Sequence, residues 1–229
     1  HKGSPIWTVA SKKENGYRMQ LHLGEHLNQS HTTQPNASAL TRQFTNYDLR
    51  LFPELHHTFQ TLPVMIGDAE LINATYEHLA GFNRVQKRLP NSQYWPAHNQ
   101  TELEDSLIKT YLQSNLFANG LPLEEYKLTL AFHSLFAIAD PSTWTKSKRE
   151  QQASLESLSA IPKNYKKVHE LLNKLEEFIS NEHLNARVVE RTTIKRKKDL
   201  QIYIRRCQNQ GLEGTCIAQW IEGPQGLNI

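Results

Sequence analysis

Residues 11–22 read SKKENGYRMQLH, in which two adjacent lysines, an acid, an amide and a glycine run directly into polar Arg18, Gln20 and His22 alternating with Tyr17, Met19 and Leu21. Alternation with a period of two is the mark of a half-buried strand, because successive side chains leave a pleated backbone on opposite faces. A strand is therefore expected over 17–23 and another over 5–10, with Lys12 and Lys13 on the connection. The fold, and the chemistry of the chain, turn on whether that connection is an ordinary basic turn or presents a nucleophilic amine.

Working outward, residues 24–38 are rich in Asn, Gln, Ser, Thr and Pro and read as a loop. LPVMIGDAELIN, residues 62–73, is a buried strand with a glycine in its middle, where a bulge or a close backbone approach is expected. Helical apolar spacing recurs over 74–88 and 101–118, separated by the Pro-bounded LPNSQYWPAHNQ. KLTLAFHSLFAI, residues 127–138, returns to strand character. Asp140-Pro141-Ser142-Thr143 is a turn and helix start, followed by helices over roughly 144–159 and 164–181. A basic helix near 195–209 ending at Gly211 and a last strand over 214–221 complete the chain. This irregular alternation, without βαβ spacing or repeats, predicts an α+β fold with mostly antiparallel sheets.

Length allows one large domain or two small ones. No apolar run approaches the ~20 residues of a membrane span, so a soluble protein without a membrane partner is expected. Cys207 and Cys216 lack the paired spacing and partner histidines of a zinc site, and the eleven histidines are scattered. Two reduced thiols point to an intracellular protein, in cytoplasm or nucleus. The net charge of +3 is unevenly spread. Between 191 and 206, Lys or Arg occupies 191, 195–198, 205 and 206 against one Asp, whereas TELED at 101–105 is acidic. A basic stripe of this kind is the electrostatic footprint of a polyanionic partner, or else a solvated helix face.

The phosphate loop GxxxxGK[ST], GxGxxG, GxSxG and HExxH are all missing, which removes the common nucleotide-binding and hydrolase signatures. KENGYR at 13–18 remains. A lysine that attacks phosphorus must be neutral and held against its substrate, and a fixed turn with a glycine permits that close approach.

KENGYR resembles the nucleophile motif K-x-D-G of the covalent nucleotidyltransferases, the superfamily of ATP-dependent DNA ligases, RNA ligases and mRNA capping enzymes. The arginine two residues after the glycine resembles the DNA ligases in particular, and the spacing selects Lys13 over Lys12. TRQFTNYDLRLFPEL at 41–55 is similar to the ligase segment with an arginine after Ser or Thr, which selects Arg42. VMIGDAELIN resembles the strand ending D-G-E-L and places Glu70 at its acidic position. AFHSLF at 131–136 resembles the F-D strand, with Phe132 at the purine-stacking position, and GLEGTCIAQ at 211–219 resembles E-G-x-x-x-K, with Glu213 at the acidic position.

The resemblance implies a nucleotidyltransferase (ATP-grasp-like) adenylation domain over 1–229, with two mostly antiparallel sheets flanked by helices and a helical insertion near 73–125. It implies ATP and Mg²⁺, a covalent lysine–AMP on Lys13, and a monomer that seals nicked double-stranded DNA. Glu70 and Glu213 would contact ribose or metal, Phe132 the adenine, and Arg18 and Arg42 the phosphates, while the basic helix tracks the nucleic-acid backbone. Departures from the pattern are Asn15 for Asp, Ala69 for Gly, His133 for Asp, Ser11 for an adenine-recognising Glu and Ala218 for Lys. After Ala218 the sequence stops at Ile229 before any K-x-K motif or oligonucleotide-binding domain, so it is expected either to be continued in a longer protein or to have lost part of its catalysis. An RNA ligase, a capping guanylyltransferase and a ligase-like module that binds nucleic acid without catalysis stay open as alternatives.

Overall fold

The computed structural model describes residues 6–24, 37–44, 46–47, 49, 52–76, 78–89, 123–147, 150–151, 165–210, 212 and 214–221. The expected helix over 101–118, most of that over 144–159, Gly211 and Glu213 lie outside the described residues.

Eight strands form two sheets. β1 (Ile6–Lys12) lies between β7 (Arg191–Ile194) and β8 (Thr215–Ile221) in a three-stranded sheet. β2 (Tyr17–Leu23), β3 (Ala37–Leu40), β4 (Met65–Asn73), β5 (Leu128–Ile138) and β6 (Ala186–Val188) form a five-stranded sheet in the order β3-β2-β4-β5-β6. Every pairing is antiparallel except β5 with β6. Four α-helices accompany the sheets among the described residues: α1 (His56–Thr61), α2 (His78–Arg88), α3 (Tyr165–Asn181) and α4 (Lys197–Asn209). The α+β expectation of two mostly antiparallel sheets with helices around them therefore holds. None of the helices among the described residues is long and apolar enough to cross a membrane.

The core follows from the alternation. Met19, Leu21 and Leu23 of β2 point into the larger cluster with Met65, Ala69 and Leu71 of β4 and Leu128, Leu130, Phe132 and Leu135 of β5. Leu171, Leu172, Leu175 and Ile179 of α3 recur at three- and four-residue intervals and cover the same cluster. A smaller cluster of Ala10, Tyr203 and Cys207 seats α4 on β1. Both cysteines are unpaired.

Several boundaries differ from the sequence reading. The first helix of the 74–88 segment begins at His78 because the Asn73 carboxamide accepts from the Thr75 and Tyr76 N–H groups at 3.0 and 2.6 Å, holding a turn before it. The expected loop over 24–38 gives way to β3 at Ala37, which takes its ladder from β2. β6 and β7 lie where no strand was expected. Asp140 does start a helical turn, accepting from Ser142 N–H at 2.8 Å.

Gly67 marks the irregularity expected of it. The β4–β5 register slips twice, between Ile66 and Gly67 and between Asp68 and Ala69, leaving Phe136 and His133 as the extra residues on β5. Phe132 pairs with Ala69 and is fully buried in the larger cluster. Its expected role as a purine platform is thereby corrected: the ring is a core side chain with no face left for a base.

The turn 13–16 carries the chain from the small sheet to the large one, and Gly16 makes that crossing sterically possible. A Cβ there would lie 2.7 Å from both Glu70 Cγ and Ile72 Cγ2 and would also collide with the Leu71 carbonyl oxygen. Gly16→Ala is expected to lower stability by ~1–3 kcal/mol, the usual cost of overpacking, read as a lower urea midpoint with an unchanged slope.

α3 is tied to β7 by Arg191, whose Nε donates to His169 Nδ1 at 2.8 Å and whose Nη2 donates to Asn173 Oδ1 at 2.8 Å. Burial, then the Arg191 charge, holds the His169 pKa below its ordinary value. The neutral ring is thus the form the fold favours, so this contribution is present above about pH 6.5 and is lost as pH falls below it. Urea midpoints at pH 7.5 and 5.5 should differ in that direction, and by less in His169→Gln, whose carbonyl can still accept from Arg191.

Candidate active site

β1 ends at Lys12, and its two lysines then have different surroundings. Lys12 Nζ pairs with Glu190 Oε2 at 2.9 Å, and its N–H donates to the Glu190 carbonyl at 3.2 Å. Glu190 Oε1 also holds Arg206 of α4 at 3.0 Å. Lys12 therefore helps to close the small sheet against its helix. The Lys13 N–H donates to Gly214 O at 3.1 Å, extending the β1–β8 ladder by one bond, and its side-chain stem passes Gly214. Its exposed side chain lines a cavity of about 440 Å³ with Glu14, Asn15, Ile72, Asn185 and Arg187.

That volume is in the range of small-molecule sites, ~300–1,000 Å³. Its walls come from the turn, the end of β4, the start of β5, β6 and Leu212 ahead of β8. Glu14 Oε2 accepts from Arg187 Nη2 at 2.8 Å, pinning the turn to β6. The turn is thus held on three sides: by Gly214, by Arg187, and by the packing of Gly16 on β4. Two amides in the cavity wall are already engaged. Asn73 donates to Glu125 O at 2.8 Å, and Asn185 donates to Leu128 O at 2.7 Å.

Beside this cavity a polar row runs across β2, β4 and β5. Arg18 stands opposite Glu70 in the ladder, and its Nε donates to Asp68 Oδ1 at 2.8 Å. The Asp68 hydrogen bond and charge raise the Arg18 pKa above its ordinary value. Tyr47 O–H donates to the Arg18 carbonyl at 3.2 Å, and burial pushes its pKa up to about 12. Glu70 Oε2 lies 3.0 Å from His133 Nε2, the residue that the bulge leaves over on β5. Bulges commonly re-aim a side chain beside a site, and this one brings an imidazole to a carboxylate that packs against Gly16.

Of the residues singled out in the sequence, Lys13, Arg18 and Glu70 gather around the turn, and Phe132 is in the core. Arg42 is exposed on the turn after β3, the edge strand of the large sheet. Glu213 lies outside the described residues, although Gly214 and Thr215 stand against Lys13 and Lys12. Glu14, Asp68 and Arg187 were not singled out; only the sheet register and the ion pairs bring them to the site. Ala218 is exposed on β8 opposite Val9.

No group of three or more His, Cys, Asp or Glu side chains is arranged to hold a metal among the described residues. Asp68 is engaged by Arg18 and Glu14 by Arg187, and Glu70, which meets His133 through Oε2, is the carboxylate packed against Gly16. One or two carboxylates suffice for Mg²⁺ that is bound largely through substrate phosphates and water. The residues present fit that mode of binding, not a protein-built cage.

No protein-family profile matches the chain, and no curated protein matches its sequence. Solved structures do share its fold. Mycobacterial DNA ligase D complexed with ATP and MES is 12% identical with a TM-score of 0.50, covering 93% of this chain and 48% of that one. The ATP-dependent DNA ligase from bacteriophage T7 in complex with ATP is 13% identical with a TM-score of 0.46, covering 92% of this chain and 56% of that one. Chlorella virus DNA ligase-adenylate is 12% identical with a TM-score of 0.46, over 96% and 59% of the two chains. The chain thus spans roughly half the length of these ligases. At such identities the likeness is one of fold: the two-sheet α+β architecture described above is similar to that of mycobacterial DNA ligase D.

Proposed function

We propose that the chain is the adenylation domain of an ATP-dependent polynucleotide ligase acting on nicked double-stranded DNA. One observation carries this reading. The KENG turn, pinned by β8, β6 and β4, places Lys13 on a cavity of nucleotide size, next to the strand that bears Glu70. The motif order in the sequence and the ligase-like fold support the same assignment.

In the reaction, the Lys13 amine, deprotonated, attacks the α-phosphorus of ATP in line with the departing pyrophosphate. A phosphorus–nitrogen bond forms, the α–β phosphoanhydride bond breaks, and pyrophosphate leaves with the bonding pair. AMP then passes to a 5′-phosphate, restoring the lysine, and a 3′-hydroxyl displaces AMP to seal the strand. Covalent catalysis splits one slow step into easier ones. An ordinary lysine has a pKa near ~10.4, so the bound complex must favour the neutral amine.

Arg18 is held by Asp68 on the face that carries Glu70, where it stabilises phosphate charge as it shifts. Glu70, oriented by His133, serves the ribose or Mg²⁺, which when bound neutralises the phosphates. Arg42 takes a phosphate of the nucleic acid, and Glu213 acts with Glu70. The exposed Lys197, Lys198 and Arg205 of α4 track the DNA backbone without reading sequence. The domain acts as a monomer, with a helical insertion near 73–125.

A second reading, a ligase-like module that binds nucleic acid without catalysis, is favoured by Ala218 at the position where the family carries a lysine. Incubation with α-labelled ATP followed by denaturing electrophoresis separates the two. The wild type should carry a covalent AMP label, Lys13→Ala none, and Glu70→Gln at least tenfold less. A label that survives in Lys13→Ala overturns the assignment of the nucleophile. An unlabelled wild type that still binds DNA in a salt-sensitive manner establishes the second reading instead.

A further inference from the structure

Glu14, the residue after the candidate nucleophile, has one carboxylate oxygen with no role in the account above. Its side chain is only 9% exposed, and Oε2 is engaged by Arg187 at 2.8 Å. Oε1 is buried and has no hydrogen-bond partner in the structure. A buried acceptor left without a partner carries its full desolvation cost, and a charged one more. Such a group calls for a partner that is not part of the chain.

The surroundings say what kind of partner that is. Glu14 and Arg187 both line the 440 Å³ cavity that Lys13 borders, and Ile72 and Leu184 give it apolar surface of the kind that covers a ring. The Asn73 and Asn185 side-chain N–H groups donate to backbone carbonyls of the protein, and Asn73 Oδ1 accepts from the Thr75 and Tyr76 N–H groups. Of the buried side-chain atoms left without a partner among the described residues, Glu14 Oε1 is the one whose residue lines this cavity, and beside it stands a donor, the Arg187 guanidinium, whose five N–H groups are not exhausted by one carboxylate oxygen. The complementary ligand edge is a donor beside an acceptor. The 6-amino group and N1 of adenine present that pair, whereas hypoxanthine presents a carbonyl and an N–H in the reverse order.

We propose that Glu14, held in place by Arg187, is the base-selecting residue of this cavity, with Oε1 accepting a hydrogen bond from the exocyclic 6-amino group of a purine nucleotide. The terminal carboxylate torsion is soft, so a small turn brings Oε1 to the ligand while Oε2 stays with Arg187. The inference rests on the nucleotide-binding reading of the site. Sites built to hydrogen-bond a substrate group discriminate strongly against analogues that lack it, because the protein group is then left unpaired.

Equilibrium dialysis of the whole chain against ATP, inosine triphosphate and purine riboside triphosphate, which lacks the amino group, tests the proposal. The wild type should bind ATP at least tenfold more tightly than either analogue. In Glu14→Gln, Arg187 keeps the carbonyl oxygen as its acceptor and the NH₂ group enters the cavity, so the preference for ATP over inosine triphosphate should fall to unity or invert. Equal wild-type affinity for ATP and purine riboside triphosphate overturns the proposal, as does an unchanged preference in the variant; either leaves the nucleotide site standing. Failure of the wild type to bind any of the three overturns the nucleotide reading and this proposal together. Should Glu14→Gln not fold, as judged by its circular dichroism, the wild-type comparison alone decides.

Discussion

The closest constraint in the molecule is the passage of Gly16 over β4. The chain leaves the small sheet at Lys12 and enters the large sheet at Tyr17, with four residues between. It does so against the backbone of Leu71 and the side chains of Glu70 and Ile72, where any Cβ would collide. Tyr17 then stacks on Phe82 of α2, with centroids 5.3 Å apart and rings 3° from parallel. Because the crossing is this tight, the height of Lys13 and Glu14 above β4 is set by backbone contact and not by side-chain preference. The cavity exists because the two sheets are joined at that separation.

The bulges on β5 are the second geometric device. Without them, a strand of eleven residues paired along β4 would keep strict alternation, and its polar and apolar residues would part cleanly between faces. The extra residue at His133 breaks that rule: Phe132 and Leu135 both fill the core, while His133 reaches Glu70. Arg18–Asp68 and His133–Glu70 then lie on neighbouring strands of one face, two mixed pairs that hold one another's side chains in place. Exposed pairs of this kind contribute little to stability, roughly 0–1 kcal/mol. Their effect is positional: each fixes where a charge stands beside the turn.

A division of labour between the two lysines follows from the same geometry. Both lysines border the cavity, but Lys12 is tied to Glu190 and, through it, to Arg206. Lys13 faces the cavity of Glu14 and Arg187. The basic segment 191–206 is divided in a similar way. Arg191 is built into the α3 contact, Arg196 caps α4 through Asp199, and the outer face of the helix keeps its remaining charges toward solvent.

Much of this was legible in the residues. Alternation over 17–23 and 127–138, the long apolar stripe of α3, the Asp140 turn and the glycine at 67 were read correctly, since each is a local signal carried by a few neighbouring side chains. β3, β6 and β7 were not legible: strands of three or four residues leave too short a pattern, and they form because a partner edge offers its hydrogen bonds. Phe132 was misread because a motif gives a position along a strand and says nothing of the face, which a bulge can change.

The sequence by itself determined the α+β class, the turn that presents Lys13, and the need for a glycine at 16. Only the tertiary structure decided that Lys12 is spent on Glu190, that Phe132 is core, and that Glu14 meets Arg187 across more than a hundred and fifty residues of chain. The physical reason is range. Propensity and periodicity act between neighbours in the chain, whereas ion pairs, bulges and orphaned carboxylates arise from sheet register, which joins residues that carry no mark of one another.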